Sequence, residues 1–369
     1  MATFLVWKDI PTARPATSSG WINQFGQARH ILQIALFFGG KMGEYELEKD
    51  VWLWFDPAQY CNIKCELCYT RISHARSFLT QDDLDLYIDR IKSDKLNVKE
   101  VTFNWRGEPL TNRHFPRLLR RLISAFPQTK VQFHTNAMLL SERVCRDLCE
   151  IETPYYIFLS IDGGNKAAHE RNRGANTFDL AVRGGLNLIE MRGLRNWPNI
   201  TLYQLDLGVK PFDYDRDFLS LASKCDLWQR SIPILKDGSE GQVWDSEKLE
   251  SCSLAEIWGR DSKDRQPVGA CFWAGYSLSI APNGDVSVCI LSQVQQPDGI
   301  LGNLKIHSPK ELLRRAAEFR RRLIREGRRE VPHCASCHKI EGIPRPPRTP
   351  IDLRPLAFRK FDASAEELN

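Results

Sequence analysis

The sequence predicts an α/β fold built on a parallel sheet, followed by a smaller domain that carries cysteines. Three observations support this prediction. Strand-like and helix-like segments alternate over residues 51–250, and such alternation is typical of parallel sheets. The 369 residues are 42% apolar, which allows a large core and predicts two domains. A hairpin pattern flanked by cysteines follows only after residue 250.

The individual elements follow from apolar periodicity and turn residues. Strands are predicted at Val51–Phe55, Glu100–Trp105, Lys130–His134, Tyr155–Ile161, Ile200–Leu207 and Arg230–Leu235. Helices are predicted at Gln81–Ser93, Phe115–Ala125, Ser141–Glu150, Phe178–Met191 and Phe218–Trp228. Residues 277–289 form a hairpin around a Pro-Asn-Gly turn, and an arginine-rich helix begins near Ser308.

Composition limits the cellular location and the kinds of partner that we predict for the protein. No run reaches the roughly 18 apolar residues that span a bilayer, and the amino terminus lacks the basic region of a signal peptide. Eleven cysteines with metal-type spacing indicate a reducing cytoplasm rather than a disulfide framework. A net charge of +5 does not by itself indicate nucleic acid. We therefore predict a cytoplasmic protein with neither a membrane nor a nucleic-acid partner.

The most informative motif is a C-x3-C-x2-C loop formed by Cys61, Cys65 and Cys68. Three thiolates can hold three irons of a four-iron cluster and leave the fourth iron without a protein ligand, whereas electron-carrying clusters take four cysteines. A small molecule can then bind the open iron directly. The residues alone leave two alternatives: a zinc knuckle completed by a distant ligand, or a set of buried free thiols.

Four further segments follow the cysteine loop in a fixed order. They are Arg106-Gly-Glu-Pro109 after a strand, Thr135-Asn-Ala137 at a strand end, Ser160-x-Asp162, and Arg171-Asn-Arg-Gly174. With the cysteine loop, they resemble the motifs of the radical S-adenosylmethionine (SAM) superfamily. The resemblance implies an open, partial (β/α)6 barrel, with the motifs at the carboxyl ends of the strands.

The resemblance also implies a cofactor set and a chemistry. SAM would chelate the open iron of a [4Fe-4S] cluster and yield a 5′-deoxyadenosyl radical that removes a hydrogen atom from substrate. Glu108 would accept from the SAM amino group, Arg173 would contact its carboxylate, and the Ser160/Asp162 strand would face its ribose. The full cofactor-binding set predicted is Tyr69, Gly107, Glu108, Pro109, Asn136, Ser160, Asp162, Arg173 and Gln204.

Gln204 enters this set because it is polar on an otherwise apolar strand, which suits a barrel lumen. Three positions depart from the family pattern. Leu67 stands where an aromatic residue is usual, Arg106 replaces the first glycine of Gly-Gly-Glu-Pro, and Ala137 replaces the glycine of Thr-Asn-Gly. Arg106 therefore adds a cation to the predicted site.

A second cysteine set comprises Cys271, Cys289, Cys334 and Cys337. Cysteines that flank a hairpin and are joined by a later C-x2-C form a compact four-thiolate site, and by spacing alone this could be a zinc ribbon. Together with Leu301-Gly-Asn303, the set resembles the SPASM/twitch extension of radical SAM enzymes, in its one-cluster twitch form. That resemblance implies an auxiliary [4Fe-4S] cluster that passes electrons.

The four-cysteine spacing resembles enzymes of the 2-deoxy-scyllo-inosamine dehydrogenase type, and related enzymes epimerise sugars. We therefore expect oxidation or epimerisation of a carbinol carbon of a sugar or aminocyclitol in antibiotic or other natural-product biosynthesis. An epimerase needs a hydrogen-atom donor, for which Cys252 is the candidate. The alternative is crosslinking or epimerisation of a ribosomal peptide. A reductant such as flavodoxin or ferredoxin is the expected protein partner.

These motifs divide the chain into four predicted parts. Residues 1–50 form an amino-terminal extension, and residues 51–250 form the radical SAM partial barrel. Residues 251–343 form the SPASM/twitch domain, and residues 344–369 form a proline-rich tail that we expect to be extended.

Overall fold

The computed structural model describes residues 51–66, 68, 76–231, 277–289 and 299–335. Nine strands form one open sheet in the order β6-β5-β4-β3-β2-β1-β7-β8-β9. The strands are β1 (Val51–Phe55), β2 (Val98–Thr102), β3 (Lys130–Thr135), β4 (Tyr156–Ser160), β5 (Asn199–Leu205), β6 (Leu227–Ser231), β7 (Ser277–Ile280), β8 (Asp285–Ser287) and β9 (Ile300–Asn303).

Helices follow most of the strands, as the alternation in the sequence predicts. They are α1 (Gln81–Ser93), α2 (Phe115–Ala125), α3 (Glu142–Cys149), α4 (Lys166–Arg173), α5 (Phe178–Arg192), α6 (Arg216–Lys224), α7 (Pro309–Glu326) and α8 (Pro332–Ala335). Short 3-10 helices lie at Pro109–Thr111, Pro211–Asp213 and Arg328–Glu330. No helix in the described part of the chain is both long and apolar enough to cross a membrane.

Side chains at the helix starts explain several of these boundaries. Thr80, Ser141 and Ser308 accept a hydrogen bond from the backbone N–H three residues later, at the starts of α1, α3 and α7 respectively. Each cap satisfies a donor that the helix itself leaves open. Pro309 occupies the first turn of α7, where a missing N–H costs nothing.

Strands β1 to β6 are parallel, and their apolar side chains pack against the helices in one continuous core. Because side chains alternate along a strand, the opposite side of the sheet carries a different set. We call this side the open face. It includes Trp52, Trp54, Thr102, Gln132, His134, Tyr156, Phe158, Ser160 and Tyr203, several of them only half-buried.

The hairpin predicted after residue 276 continues the same sheet. Strand β7 pairs in parallel with β1, from Trp52 opposite Ser277 to Phe55 opposite Ile280. Strands β8 and β9 then add in antiparallel fashion. The two predicted domains therefore share one sheet, with β1 at their junction.

Some predicted boundaries were wrong. Strand β2 ends at Thr102 rather than Trp105, and β6 begins at Leu227 rather than Arg230. The helix predicted over Phe218–Trp228 ends at Lys224, because Cys225 adopts extended backbone angles and the next residues pair with β5. A tryptophan such as Trp228 is compatible with a buried helix or a strand. Its pairing with Leu202 identifies it as a strand residue.

Candidate active site

The three cysteines of the C-x3-C-x2-C loop are half-buried and follow directly on β1. The N–H of Cys68 donates to the carbonyl of Cys65 at 3.2 Å, which closes a tight turn between them. Burial raises the pKa of the Cys61 thiol to about 12 and that of Cys65 to about 11, and the neighbouring thiols add to both shifts. A metal would have to displace these protons in order to bind.

Among the described residues, no group of three or more His, Cys, Asp or Glu side chains is placed to hold a single metal ion. A four-iron cluster has a different requirement, because its thiolates bind separate irons at the corners of the cluster. Three thiols on one short loop are the donor set that such a cluster takes, so these residues fit it.

Gly107 packs directly beneath the cysteine loop. A Cβ atom at this position would lie 1.9 Å from the carbonyl oxygen of Ala58 and 2.6 Å from that of Tyr60. The N–H of the next residue, Glu108, donates to the same Tyr60 carbonyl at 2.9 Å. Glycine is therefore required here by close backbone approach, and Arg106-Gly-Glu-Pro109 holds the loop that carries Cys61.

Glu108 is buried and fixed by three hydrogen bonds. Its Oε1 accepts from the Thr135 hydroxyl at 2.7 Å and from the N–H of Leu110 at 3.1 Å, and its Oε2 accepts from the N–H of Asn136 at 2.7 Å. Burial raises the pKa of Glu108 and these donors counteract the shift. Each carboxylate oxygen has two lone pairs, so Oε2 retains acceptor capacity for an ammonium group. The predicted contact with the SAM amino group fits this geometry and stays a prediction.

Asn136 joins the end of β3 to the cysteine loop. Its Nδ2 donates to Asn62 Oδ1 at 2.8 Å and lies 4.0 Å from Cys61 Sγ. The next residue, Ala137, has φ of +63°, which is the left-handed conformation that glycine adopts without cost. This conformation is the physical reason for glycine at this place in the family motif.

Asp162 has no exposed surface and lies at the carboxyl end of β4. Its carboxylate accepts two hydrogen bonds from Arg173, one from Asn172 Nδ2 at 2.6 Å and one from the N–H of Leu205 at 3.3 Å. Burial alone would raise the pKa of Asp162, but Arg173 and the other donors outweigh it and lower the pKa. Asp162 thus positions Arg173 in this structure, and its predicted ribose contact is untested.

Arg173 also connects this pair to the cysteines. Its positive charge lowers the pKa of the Cys65 thiol, against the larger effect of burial, which raises it. On the same helix, Asn172 accepts from the N–H of Glu66 through its carbonyl at 2.6 Å. Helix α4 is therefore tied to the cysteine loop at its carboxyl end.

Sequence reasoning missed a buried ion pair beside these residues. Arg106 Nε lies 3.3 Å from Asp56 Oδ2, its backbone N–H donates to Asp56 Oδ1 at 3.3 Å, and its guanidinium lies 3.7 Å from the ring centre of Trp105. Burial raises the pKa of Asp56 to about 6, and Arg106 opposes that shift. The sequence marks Asp56 as a polar residue at the end of β1, but nothing in it pairs Asp56 with Arg106. The cation that replaces glycine is therefore neutralised inside the protein.

Gln204 does not face the lumen, so that prediction was wrong. Its Oε1 accepts from Trp228 Nε1 at 2.9 Å, and Trp228 packs against the helix side chain Phe218. Tyr203, the preceding residue, lies on the open face and contacts the ring of His134. Alternation along β5 consequently places Gln204 on the helix side.

The open face carries an aromatic group beside the predicted cofactor residues. His134 stacks on Phe158 with ring centres 4.5 Å apart and meets the edge of Tyr203 at 5.2 Å. Burial, together with the charges of Arg173 and Lys130, lowers the pKa of His134 to about 4. The imidazole is therefore neutral near pH 7. Ser160, at the end of β4, is 9% exposed on the same face.

The second cysteine set is described in part. Cys289 is buried just after β8, and Cys334 is buried within α8. Cys271 and Cys337, like the predicted hydrogen donor Cys252 and the predicted SAM contact Tyr69, lie outside the described residues. Cys145 and Cys149 are buried in the main core, where they pack against its apolar side chains.

Cys289, of the second set, lies at the opposite end of the strands from the loop that carries Cys61. The loop with Cys61 follows the carboxyl end of β1, and β7 runs in the same direction as β1. The chain turns at Pro282–Gly284 and returns along antiparallel β8, so that Cys289 emerges at the edge where β1 begins. The open face extends between these two edges.

Two family models match the chain. The model of the radical SAM superfamily matches residues 56–203, which contain all the motifs from the cysteine loop to Arg173. The model of the SPASM iron–sulfur cluster-binding domain matches residues 271–338, which begin at Cys271 and include Cys337. The chain contains a radical SAM domain followed by a SPASM domain. It is a radical SAM superfamily enzyme, and these domains imply SAM, a SAM-binding [4Fe-4S] cluster and auxiliary iron–sulfur binding.

Solved structures agree with this fold. Native anSMEcpe with bound AdoMet is 16% identical, with 73% of this chain and 83% of that chain covered and a TM-score of 0.50. Streptococcus suis SuiB bound to S-adenosylmethionine is 16% identical, with 78% and 71% covered and a TM-score of 0.50. At this identity the likeness concerns the fold alone.

A third structure, BtrN in complex with AdoMet and 2-DOIA, is 12% identical, with 80% and 98% covered. Its TM-score of 0.46 is too low to support an inference about function. No curated protein matches the radical SAM–SPASM chain by sequence.

Proposed function

We propose that this radical SAM–SPASM protein oxidises a carbinol carbon of a sugar or aminocyclitol. The observation that supports the proposal is the composition of the open face beside the cofactor residues. The stacked rings of His134 and Phe158 make this part of the open face aromatic, and the C–H groups of a saturated ring can pack against such a surface. A polyhydroxylated ring needs hydrogen-bonding partners as well as such a surface.

Those partners lie nearer the amino-terminal ends of the strands. Lys130 Nζ is 3.2 Å from Glu100 Oε2, and Gln132 Nε2 donates to Glu100 Oε1 at 2.8 Å and to the Thr102 hydroxyl at 3.2 Å. The half-buried Glu100, Lys130 and Gln132 offer both donors and acceptors to hydroxyl groups. The open face is therefore suited to a small polar ring, bound between the aromatic surface and this network.

In this proposal the residues of the two cysteine sets and of the strand ends have separate roles. Cys61, Cys65 and Cys68 hold the cluster, and Glu108, Asn136 and Arg173 surround the SAM position. When bound, the cluster and SAM supply a hydrogen-abstracting radical. Cys289 and Cys334, with Cys271 and Cys337, form the site for an auxiliary cluster, which is the acceptor that oxidation of a carbon radical requires. The hydroxyl proton passes to solvent, because the low pKa of His134 makes its imidazole a poor proton acceptor near pH 7.

The test is incubation with SAM, a chemical reductant and candidate sugars or aminocyclitols deuterated at single carbinol carbons. Transfer of deuterium into 5′-deoxyadenosine supports the proposal if it is accompanied by a ketone three mass units lighter than the deuterated substrate and two lighter than the unlabelled one. In a parallel incubation of unlabelled substrate in heavy water, a product of inverted configuration that carries deuterium would instead identify an epimerase. Cys252→Ala should then abolish inversion while 5′-deoxyadenosine still forms. Transfer from a peptide alone would identify peptide modification.

A second experiment tests the role of the second cysteine set. Cys61→Ala should abolish SAM cleavage, because it removes a ligand of the cluster that binds SAM. Cys334→Ala should retain some SAM cleavage and form no ketone, because only the later electron transfer is lost. Full turnover by the Cys334→Ala variant would contradict the auxiliary role.

A further inference from the structure

A groove of about 490 Å³ lies behind the cofactor residues, on the side of the sheet that carries the helices. It is formed by the 3-10 helix Pro109–Thr111 with the start of α2, the loop between β3 and α3, and helix α5. Its apolar lining includes Leu110, Met138 and Leu180, and Leu180 is 42% exposed. No function described above uses this groove.

The charge of the groove has one sign. Three of its lining side chains are charged, and all three are arginines: Arg113, Arg143 and Arg183. All three are exposed at the rim. Arg143 has an ion pair with Asp147 at 3.7 Å that is too exposed to neutralise it. An apolar floor with a cationic rim fits a protein surface whose apolar centre is surrounded by carboxylates.

The groove lies close to the cysteine loop, so a protein docked in it would lie near the predicted cluster. Two lining residues are bonded directly to the cofactor site: the N–H of Leu110 donates to Glu108 Oε1, and the N–H of Met138 donates to Asn136 Oδ1 at 3.1 Å. Asn136 Nδ2 in turn lies 4.0 Å from Cys61 Sγ. Two residues span at most about 7 Å, so only one layer of protein separates the groove from the cysteine loop.

We propose that this groove docks the acidic face of a one-electron carrier protein of the flavodoxin type. The carrier gives one electron to the cluster held by Cys61, Cys65 and Cys68, with no bond made or broken and no proton transferred. The proposal rests on the proposed function in that it needs a cluster that must be reduced. The short path through Asn136 and the arginine rim make this surface suitable for that reduction.

The binding experiment uses a purified flavodoxin and the full-length holoprotein. In the variant Arg113→Glu/Arg143→Glu/Arg183→Glu, the Kd for flavodoxin, measured by calorimetry at low salt, should rise about tenfold or more. Added salt should weaken binding of the wild type and have little effect on the variant. The matched control is Arg314→Glu/Arg321→Glu/Arg325→Glu, the same number of charge reversals at exposed arginines of α7, which packs at the β9 edge of the sheet. It should leave the Kd near the wild-type value.

The reduction experiment separates this proposal from the proposed function. Bleaching of the iron–sulfur absorbance by reduced flavodoxin should slow in the triple variant of the groove, while bleaching by dithionite should keep its wild-type rate. Equal flavodoxin affinity in the groove variant and the control variant would overturn the docking proposal. So would a groove variant that binds flavodoxin normally and loses substrate affinity under dithionite, because the groove would then hold substrate. If the wild type oxidises no carbinol under dithionite, the proposed function fails while the binding result still decides the docking.

Discussion

Arg173 holds Asp162 through two hydrogen bonds, from Nε to Oδ2 at 2.6 Å and from Nη2 to Oδ1 at 3.1 Å. The Asp162 side chain has no exposed surface, and that of Arg173 is 14% exposed. A bidentate pair of this kind fixes the plane of the guanidinium. One edge of the Arg173 guanidinium is therefore already hydrogen-bonded to Asp162.

Loss of this arginine should destabilise the fold. Arg173→Gln leaves the Asp162 carboxylate buried without its counter-charge, which should lower the free energy of unfolding by about 3–5 kcal/mol. Urea unfolding at pH 7.5 measures the change. The control is Arg120→Gln, which removes an ion pair with Glu150 whose side chains are both more than half exposed and should cost less than about 1 kcal/mol. Similar costs in both variants would show that Asp162 does not depend on Arg173.

A methyl group at residue 107 should disturb the cysteine loop. Gly107→Ala places a Cβ 1.9 Å from the carbonyl oxygen of Ala58, so the loop must move. We expect SAM affinity, measured by equilibrium dialysis, to fall about tenfold or more, a loss of roughly 1.4 kcal/mol. Gly327→Ala also strains the backbone, because φ at this residue is +85°, but its new Cβ meets nothing within 4 Å, so SAM affinity should be retained. Unchanged affinity in Gly107→Ala would mean that this contact does not set the loop position.

Glycine at position 137 should stabilise the protein. Ala137 adopts φ of +63°, a conformation that costs roughly 1–2 kcal/mol with a Cβ atom and little without one. Ala137→Gly should therefore raise the melting temperature, although the more flexible unfolded chain offsets part of the gain. Ala317→Gly, in the interior of α7, should lower it by the ordinary cost of glycine in a helix. Calorimetry should show shifts of opposite sign.

Iron content should divide between the two cysteine sets. Anaerobic reconstitution should give about eight irons per chain, as expected for two four-iron clusters. The triple variant Cys61→Ala/Cys65→Ala/Cys68→Ala should keep about half, because the second set is separate. Cys145→Ala/Cys149→Ala, which removes two core thiols, should keep nearly all of the iron. Zinc in place of iron at the second set would contradict the expectation.

His169 should make stability depend on pH. Its Nδ1 accepts from the N–H of Asp162 at 3.1 Å, and burial lowers its pKa from 6.5 to about 4. Below pH 6.5 His169 binds a proton in the unfolded chain but not in the folded chain. The stability that the protein has with a neutral His169 is therefore complete above pH 6.5 and is lost as the pH falls towards 4. Between pH 7.5 and 5.0 this loss should be about 2 kcal/mol.

The variant His169→Asn isolates this effect, because Asn can keep the acceptor and does not titrate. The difference in unfolding free energy between wild type and variant should shrink or reverse by about 2 kcal/mol as the pH falls from 7.5 to 5.0. Asp56 acts in the opposite sense over part of this range, since its pKa is raised to about 6 and its burial costs stability as the pH rises. Asp56 is common to both proteins and cancels in the difference.

Most of the site could be predicted because its residues lie at strand ends. Cys61, Glu108, Asn136 and Asp162 each follow a strand of a parallel sheet, and such ends gather at one edge. The structure places them there, joined through Asn136 and Arg173. Motif order along the chain was enough to locate them.

What the sequence could not supply were relations between distant side chains. Gln204 was placed in the lumen by alternation along β5, but alternation does not say which side the helices cover. The hydrogen bond from Trp228 Nε1 to Gln204 places the Gln204 side chain on the helix side of the sheet, and Trp228 itself was predicted to lie in a helix. The ion pair of Asp56 with Arg106 joins residues fifty positions apart and has no periodic signature.

The pairing of β7 with β1 has a consequence for the spacing of the two redox sites. The loop that carries Cys61 lies beyond the carboxyl end of β1, and Cys289 lies towards the amino end of this strand. The length of a five-residue strand, roughly 15 Å, therefore sets the separation between the two positions along the strand direction. The hydrogen bonds of a continuous sheet keep that length constant while loops move. In the proposed function, an electron that passes between clusters at these two positions would cover a distance set by backbone geometry, and side-chain substitutions on the open face would leave that distance unchanged.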